Sequence, residues 1–235
     1  MTVFDYDPHH DGGWTALNED PPHLAVSRVD PDLLNLVKRL PGSDRIILGL
    51  AGAPGAGKTT VAEALVRALG PSAVHVPMDG FHLSDNILTA LGRLGRKGAP
   101  DTFDAHGYAN LLQRIRNERD HAVYAPAFVR DLEQPLAGAI AIEPHHTVVI
   151  SEGNYLLLQD ANWRGLSTLF DEVWFLKTEA QLRTQRILSR HIEFGKLADV
   201  ARDWVATVDE GNAELVGGTE PFADRVIDVT YLQVG

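Results

Sequence analysis

Residues 45–60 read RIILGLAGAPGAGKTT, and their order decides the fold. Arg45–Ala51 is apolar and β-branched without polar alternation, the pattern of a strand buried on both faces. Gly52, Gly57, Lys58 and Thr59 satisfy G-x-x-x-x-G-K-[ST]. The next residues place Val61, Leu65 and Leu69 at helical spacing, and Gly70 can end that helix. A strand, a glycine loop and a helix in this order form the context that marks a phosphate cradle. The glycines let backbone N–H groups turn inward, and the helix N-terminus adds partial positive charge. Chance alone gives about one such match per hundred chains of this length, before the context is counted. Gly52, Gly55, Ala56, Gly57, Lys58, Thr59 and Thr60 are therefore the expected nucleotide contacts. Lys58 reaches the β- and γ-phosphates, and the Thr59 hydroxyl ligates Mg²⁺.

Further strands are expected at Ala73–Met78, Thr147–Glu152, Glu172–Lys177 and Arg225–Leu232. Helical patterns fall between them. One presents Tyr108, Leu111, Leu112 and Ile115 on one side, with Asp104 as N-cap. One opens with a capping box, Thr178 with Gln181. One spaces Val200, Trp204 and Val208, with Trp204 in the core. Asp30 and Pro31 start an earlier helix that Pro41-Gly42 stops. Alternation of strands and helices predicts an α/β fold, a doubly wound parallel sheet of about five strands. AVYAPAF and AGAIAIEP form two short extended pieces that can pair as a hairpin at the rim. Residues 1–28, with His9-His10, read as a loosely ordered arm, and 29–235 as one domain with a lid around 183–200.

Composition narrows the function. The 235 residues carry a net charge of −11, which disfavours a broad nucleic-acid surface. The absence of cysteine excludes disulfides and thiolate chemistry. No apolar run reaches the roughly 18–20 residues of a membrane span, and the N-terminus lacks a signal-peptide core. A cytoplasmic protein is the expectation.

Two carboxylates follow the loop. Asp79 ends the second strand, on the rim where ligands of parallel sheets sit. It can take the proton of an acceptor hydroxyl, or merely close a strand in an Asp-Gly turn. Glu152 ends the third strand, where it can hold Mg²⁺ or face solvent; Asn154 and Tyr155 after it can position the rim or turn the chain. Arg183, Arg186 and Arg190 share one helix face. Arg183 reads as a surface residue paired with Glu179, whereas Arg190 precedes a Gly-containing segment able to flex as a lid over phosphates. His82 can touch the acceptor or lie in a loop. Arg93, Arg96 and Lys97 can bind an anionic acceptor or be solvated. His145-His146 read as a loop pair.

GAPGAGKTT, MDGFHL, RKGAPDTFD, VVISEGNYLLL and RHIEFGK, in that order, resemble the phosphoribulokinase, uridine kinase and pantothenate kinase superfamily of P-loop kinases. The pattern is most similar to bacterial nucleoside/nucleotide kinase-like, or fructose-transport-system kinase-like, proteins. The resemblance spans about Arg45 to Leu232. It implies ATP and Mg²⁺ at Lys58 and Thr59, Asp79 as base and as a neighbour of the metal, Glu152 as metal-side acid and Arg190 as lid arginine. It implies Thr219 and Ala223 near the adenine and Tyr124 on the acceptor side. The partner implied is a small-molecule hydroxyl acceptor, a sugar, nucleoside or pantothenate-like alcohol, and the pattern is compatible with a homodimer. A nucleotide hydrolase or nucleotide-gated binding protein is the alternative. A regulatory GTPase would need an N-K-x-D stretch, which the sequence lacks.

Overall fold

The computed structural model describes residues 31–40, 44–160 and 162–230. The expected arm, His9-His10, the Asp30 cap, the Pro41-Gly42 stop and the end of the last strand lie outside them. The strands are β1 (Ile46–Ala51), β2 (Ala73–Pro77), β3 (Val123–Val129), β4 (Gln134–Ile142), β5 (Val148–Gly153), β6 (Glu172–Lys177) and β7 (Arg225–Asp228). The helices are α1 (Pro31–Lys38), α2 (Lys58–Leu69), α3 (Asp85–Ala90), α4 (Ala105–Asn117), α5 (Ala180–Glu193), α6 (Ala198–Trp204) and α7 (Glu210–Gly217). A π-helical turn, Val205–Asp209, joins α6 to α7.

Five parallel strands form one sheet in the order β2-β5-β1-β6-β7. The β1 residues explain the two layers. Ile47 and Ala51 enter one core cluster with Tyr108, Leu112 and Ile115 of α4. Leu48 and Leu50 enter the other with Val61 and Leu65 of α2 and Val37 of α1. Each fully buried Leu or Ile contributes about 1.5–3 kcal/mol, so neither face of β1 can be left uncovered. Arg45, 1% exposed, locks the far end of the sheet. Its guanidinium donates to the carbonyls of His146, Ile115 and Glu143, each at 2.8 Å.

The two extended pieces do pair, as the antiparallel ribbon β3–β4. This ribbon lies on the one-turn 3₁₀ helix Met78–Phe81 that follows β2. A Cβ on Gly80 would stand 2.3 Å from the Pro126 carbonyl oxygen, so only glycine allows this approach. Asp104 caps α4 as expected, accepting from the Gly107 N–H at 2.8 Å.

Three local expectations fail. Thr178 is not a helix cap; its hydroxyl donates to the Ala56 carbonyl at 2.9 Å and so braces the glycine loop. Val200 is 48% exposed and Trp204 is only partly buried, under the Lys196 ammonium 5.4 Å from its ring. The buried positions of that helical run are Ala201, Val205, Asp209, Asn212, Ala213 and Val216, a stripe one residue out of step with the expected one. The offset is already present at Ala201, before the π turn, so it reflects which face of α6 packs inward.

Candidate active site

The register places Glu152 between the glycine loop and the Asp79 turn. Glu152 pairs with Leu50 on one side and Pro77 on the other, so the ends of β1, β5 and β2 meet on one rim. The loop Gly52–Gly57 leaves β1 and feeds α2, with Gly57 as N-cap. Gly55 has φ 78°, and a Cβ there would stand 2.6 Å from the Arg183 carbonyl oxygen, so α5 packs directly on the loop. Ala56 is buried, and Thr60 is half-buried in the first turn of α2.

Lys58 is buried, and its ammonium donates to the carbonyls of Gly52 at 2.9 Å and Ala53 at 3.1 Å and to Asn154 Oδ1 at 2.7 Å. Asn154 thus positions the lysine rather than merely turning the chain. Burial lowers the Lys58 pKa to about 8, opposed by the charges of Glu152 and Asp79 and assisted by Arg190 and Arg183. The Thr59 hydroxyl donates to Glu152 Oε1 at 2.9 Å. Glu152 is 5% exposed; burial and then the Asp79 charge raise its pKa, against Lys58 and the Thr59 bond. His75 Nε2 lies 3.8 Å from the same Oε1 and has no hydrogen-bond partner, and burial lowers that imidazole to about 4. A hydroxyl and a carboxylate this close are hard oxygen donors, and their chemistry fits Mg²⁺ held partly by phosphate oxygens.

Asp79 sits in the turn after β2, half-buried. No described group hydrogen-bonds its carboxylate, yet its charge acts on Lys58, Glu152, His82 and Arg190. The His82 ring lies 4.0 Å from that of Phe103 and 4.8 Å from that of Phe128. Its Nδ1 contacts the Asp79 carbonyl oxygen at 2.8 Å, and burial lowers its pKa. Arg190 keeps solvent access, while the protein around its guanidinium and the nearby Arg130 lower its pKa.

Several expected contacts are placed elsewhere. Arg93 and Arg96 reach Asp101, at 3.3 and 2.6 Å. Lys97 reaches Asp85 Oδ1 at 2.6 Å and the Glu133 carbonyl at 2.5 Å. These three cations staple their loop instead of presenting free charge. Tyr124 is 60% exposed, on the opposite side of the ribbon from the buried Val123 and Ala125. Thr219 is buried with its hydroxyl donating to the Val216 carbonyl at 2.7 Å, and Ala223 packs on the α4-side core. A cleft of about 550 Å³ beside the loop is lined by Ala53, Arg183, Thr207, Glu210, Gly211 and Glu214. Arg183 is not a solvated surface residue. It is 6% exposed and donates to both Glu210 oxygens, at 2.8 and 2.7 Å.

Two more arginines stand at this rim: Arg186, named in the arginine row but given no role of its own, and Arg130, which the sequence reading missed. Arg186 Nη1 lies 3.6 Å from where a Cβ on Gly57 would sit, at the α2 N-terminus. Arg130 comes from the turn that follows β3. Neither forms an ion pair with any described residue. The i, i+3 spacing of Arg183 and Arg186 was a usable signal, since a buried Arg183 turns Arg186 toward the loop; nothing local marks Arg130.

Known proteins share this arrangement of elements. A Schizosaccharomyces pombe protein provisionally named a uridine kinase is 34% identical over 192 residues, 78% of this chain and 81% of that protein. The chain belongs to the P-loop kinases. YggC of Escherichia coli K12, an uncharacterized protein, is 32% identical over 191 residues, 79% of this chain and 78% of its own. The solved structure of a provisionally named fructose transport system kinase from Silicibacter sp. TM1040 has a TM-score of 0.76 at 34% identity, covering 83% of this kinase and 97% of that one. No family model matches the chain. Among the described residues of this P-loop kinase, no helix is long and apolar enough to cross a membrane.

Proposed function

We propose that this P-loop kinase moves the γ-phosphoryl group of ATP to a hydroxyl of a small molecule in the cytoplasm, and that Asp79 is the base. The observation that carries the reading is the Asp79 carboxylate, unbonded and half-buried beside the Lys58–Glu152 pair. A strand-closing Asp in a turn would spend its oxygens on local N–H groups; this one keeps them for a ligand.

Lys58 and the loop N–H groups bind the β- and γ-phosphates, and Arg186 adds charge at the α2 N-terminus. Thr59 and Glu152 would hold Mg²⁺, which offsets charge on the phosphate oxygens when bound. The cleft between the loop and α7 receives the ribose and base. Asp79 accepts the proton of the acceptor hydroxyl as its oxygen bonds to the γ-phosphorus. The bond from that phosphorus to the bridging oxygen breaks, and ADP leaves. Arg190 neutralises charge on the equatorial oxygens, and closure of the lid excludes water, the competing acceptor.

The test is ADP formation with and without a panel of sugars, nucleosides and hydroxy acids. One alcohol should raise turnover well above the hydrolytic background. Asp79→Asn should retain nucleotide affinity and lose about 10²–10⁴ in that turnover, the range for a positioned acid–base group. A loss under threefold removes Asp79 from the role. Equal slow turnover with every alcohol favours a nucleotide hydrolase or a nucleotide-gated binding protein.

A further inference from the structure

We infer that the acceptor carries an anionic group, a phosphate or a carboxylate, which Arg130 and Arg190 hold on the Asp79 side of the rim; this rests on the phosphotransfer reading above. The inference begins with ion-pair accounting. Arg93, Arg96, Arg114, Arg116, Arg183 and Arg225 all have carboxylate partners. Arg130 and Arg190 have none among the described residues. They nevertheless stand near each other, brought together from two different elements.

The route of the chain explains the meeting. Arg130 follows β3, whose Pro126 carbonyl touches the backbone of the Asp79 turn at Gly80. The Arg130 guanidinium lies 5.2 Å from the centroid of the Phe194 ring. Phe194 is the residue after α5 and stands one helical turn beyond Arg190. One residue pair further along, Lys196 Nζ approaches Glu133 Oε1 at 3.9 Å, so the ribbon tip and the segment after α5 meet at two points. These contacts bring two guanidinium groups of like charge near one another, neither ion-paired with a described carboxylate, while the charges of Asp79, Asp209 and Glu152 act on Arg190 from the rim. Each raises the electrostatic cost of the other; burial first, and then the Arg130 charge, lower the pKa of Arg190. An anion between them removes that cost, and guanidinium geometry suits the paired oxygens of phosphate or carboxylate.

The triphosphate does not need Arg130. Lys58 and Arg186 already stand at the loop, and Arg190 acts on Lys58. Arg130 comes from the end of β3, the strand that rests on the Asp79 turn, and not from the glycine loop or α2. A charged substituent held there leaves the acceptor hydroxyl facing the Asp79 carboxylate. Arg93, Arg96 and Lys97, the other cations near this side, are already paired.

Two measurements test this. The full chain, saturated with Mg²⁺ and a non-hydrolysable ATP analogue, is titrated with sodium sulfate in a calorimeter at constant ionic strength. Saturable sulfate binding is expected, weakened at least tenfold in Arg130→Gln, with analogue affinity changed less than twofold. Sulfate binding unaffected by the substitution overturns the inference. So does a parallel loss of analogue affinity, which would assign Arg130 to the triphosphate. The second measurement compares alcohols in pairs that differ by one anionic group: a hexose and its 6-phosphate, a nucleoside and its 5′-monophosphate, a diol and its hydroxy acid. The anionic member of one pair should have at least tenfold higher kcat/KM, and Arg130→Gln should remove that advantage mainly through KM. Preference for the neutral member overturns the inference and leaves the kinase reading standing. ATP turnover that no alcohol raises counts against the kinase reading, and the sulfate titration then decides the anion site alone.

Discussion

The buried ammonium of Lys58 makes nucleotide binding a proton-linked reaction. Without phosphates its pKa is lowered to about 8, from the 10.5 of a free lysine, chiefly by burial. A triphosphate restores the charge balance and draws the proton back on. At pH 7 about nine-tenths of the empty sites hold a charged lysine, at pH 8 about half, and at pH 9 about one-tenth. Affinity for the Mg²⁺ complex of a non-hydrolysable ATP analogue should therefore fall about tenfold between pH 7 and pH 9. Binding at pH 8 should take up about half a proton, read by calorimetry in buffers of different ionisation enthalpy. The stability of the empty protein should move oppositely. The folded pKa lies below the unfolded one, so the unfolded chain binds more protons between about pH 8 and 10.5, and unfolding free energy rises with pH across that window. The penalty present at pH 7, about 3 kcal/mol, is relieved there. Lys58→Arg keeps its charge throughout and should flatten the pH slope of binding even though its affinity is lower. Flat affinity from pH 7 to 9 with no proton uptake would refute the account of a desolvated lysine.

Other substitutions test the geometry. Gly80→Ala forces the ribbon off the Asp79 turn, because 2.3 Å must open to an ordinary contact; denaturant unfolding should register a loss of about 1–3 kcal/mol. A change under 0.5 kcal/mol would show that the ribbon does not rest on the turn. Arg45→Met strands one buried and two partly buried carbonyls and should cost about 2–4 kcal/mol, measured by urea unfolding with nucleotide affinity retained. Arg186→Gln should weaken nucleotide binding about three- to tenfold by removing one charge at the α2 N-terminus; an unchanged dissociation constant would take Arg186 out of the phosphate site.

What the sequence made legible is what depends on neighbours along the chain. The loop Gly52–Thr59, the apolar strands and the Asp104 cap are each set within a few residues. Fold class and the order in which the strands appear followed from them. Failures arose where a side chain answers to a distant element. Thr178 has the residue type and spacing of a cap, but the Ala56 carbonyl, 122 positions away, offers its hydroxyl a partner. Arg183 has Glu179 at helical spacing, yet Glu210 gives it two hydrogen bonds. Packing also decides what no local pattern carries at Thr219, which is buried, and at Tyr124, which lies on the outward pleat. The stripe around Trp204 is shifted by one residue from Ala201 onward because packing chooses the inward face, and no residue between 198 and 217 announces it.

The same division separates the two halves of the candidate site. Its phosphate half is a continuous loop whose backbone geometry requires particular residues, so the motif must be local. Its acceptor half is assembled from the turn after β2, the tip of the β3–β4 ribbon and the end of α5, which meet only in the fold. No fixed spacing ties Asp79 to Arg130 or Arg190, and the ribbon can vary its tip without disturbing β1 or α2. A scaffold built this way can retain the chemistry at the loop and exchange the acceptor through ribbon and lid side chains. For this chain, the exchangeable part presents two cations with no carboxylate of their own. Those two cations are the reason the proposed acceptor is an anionic one.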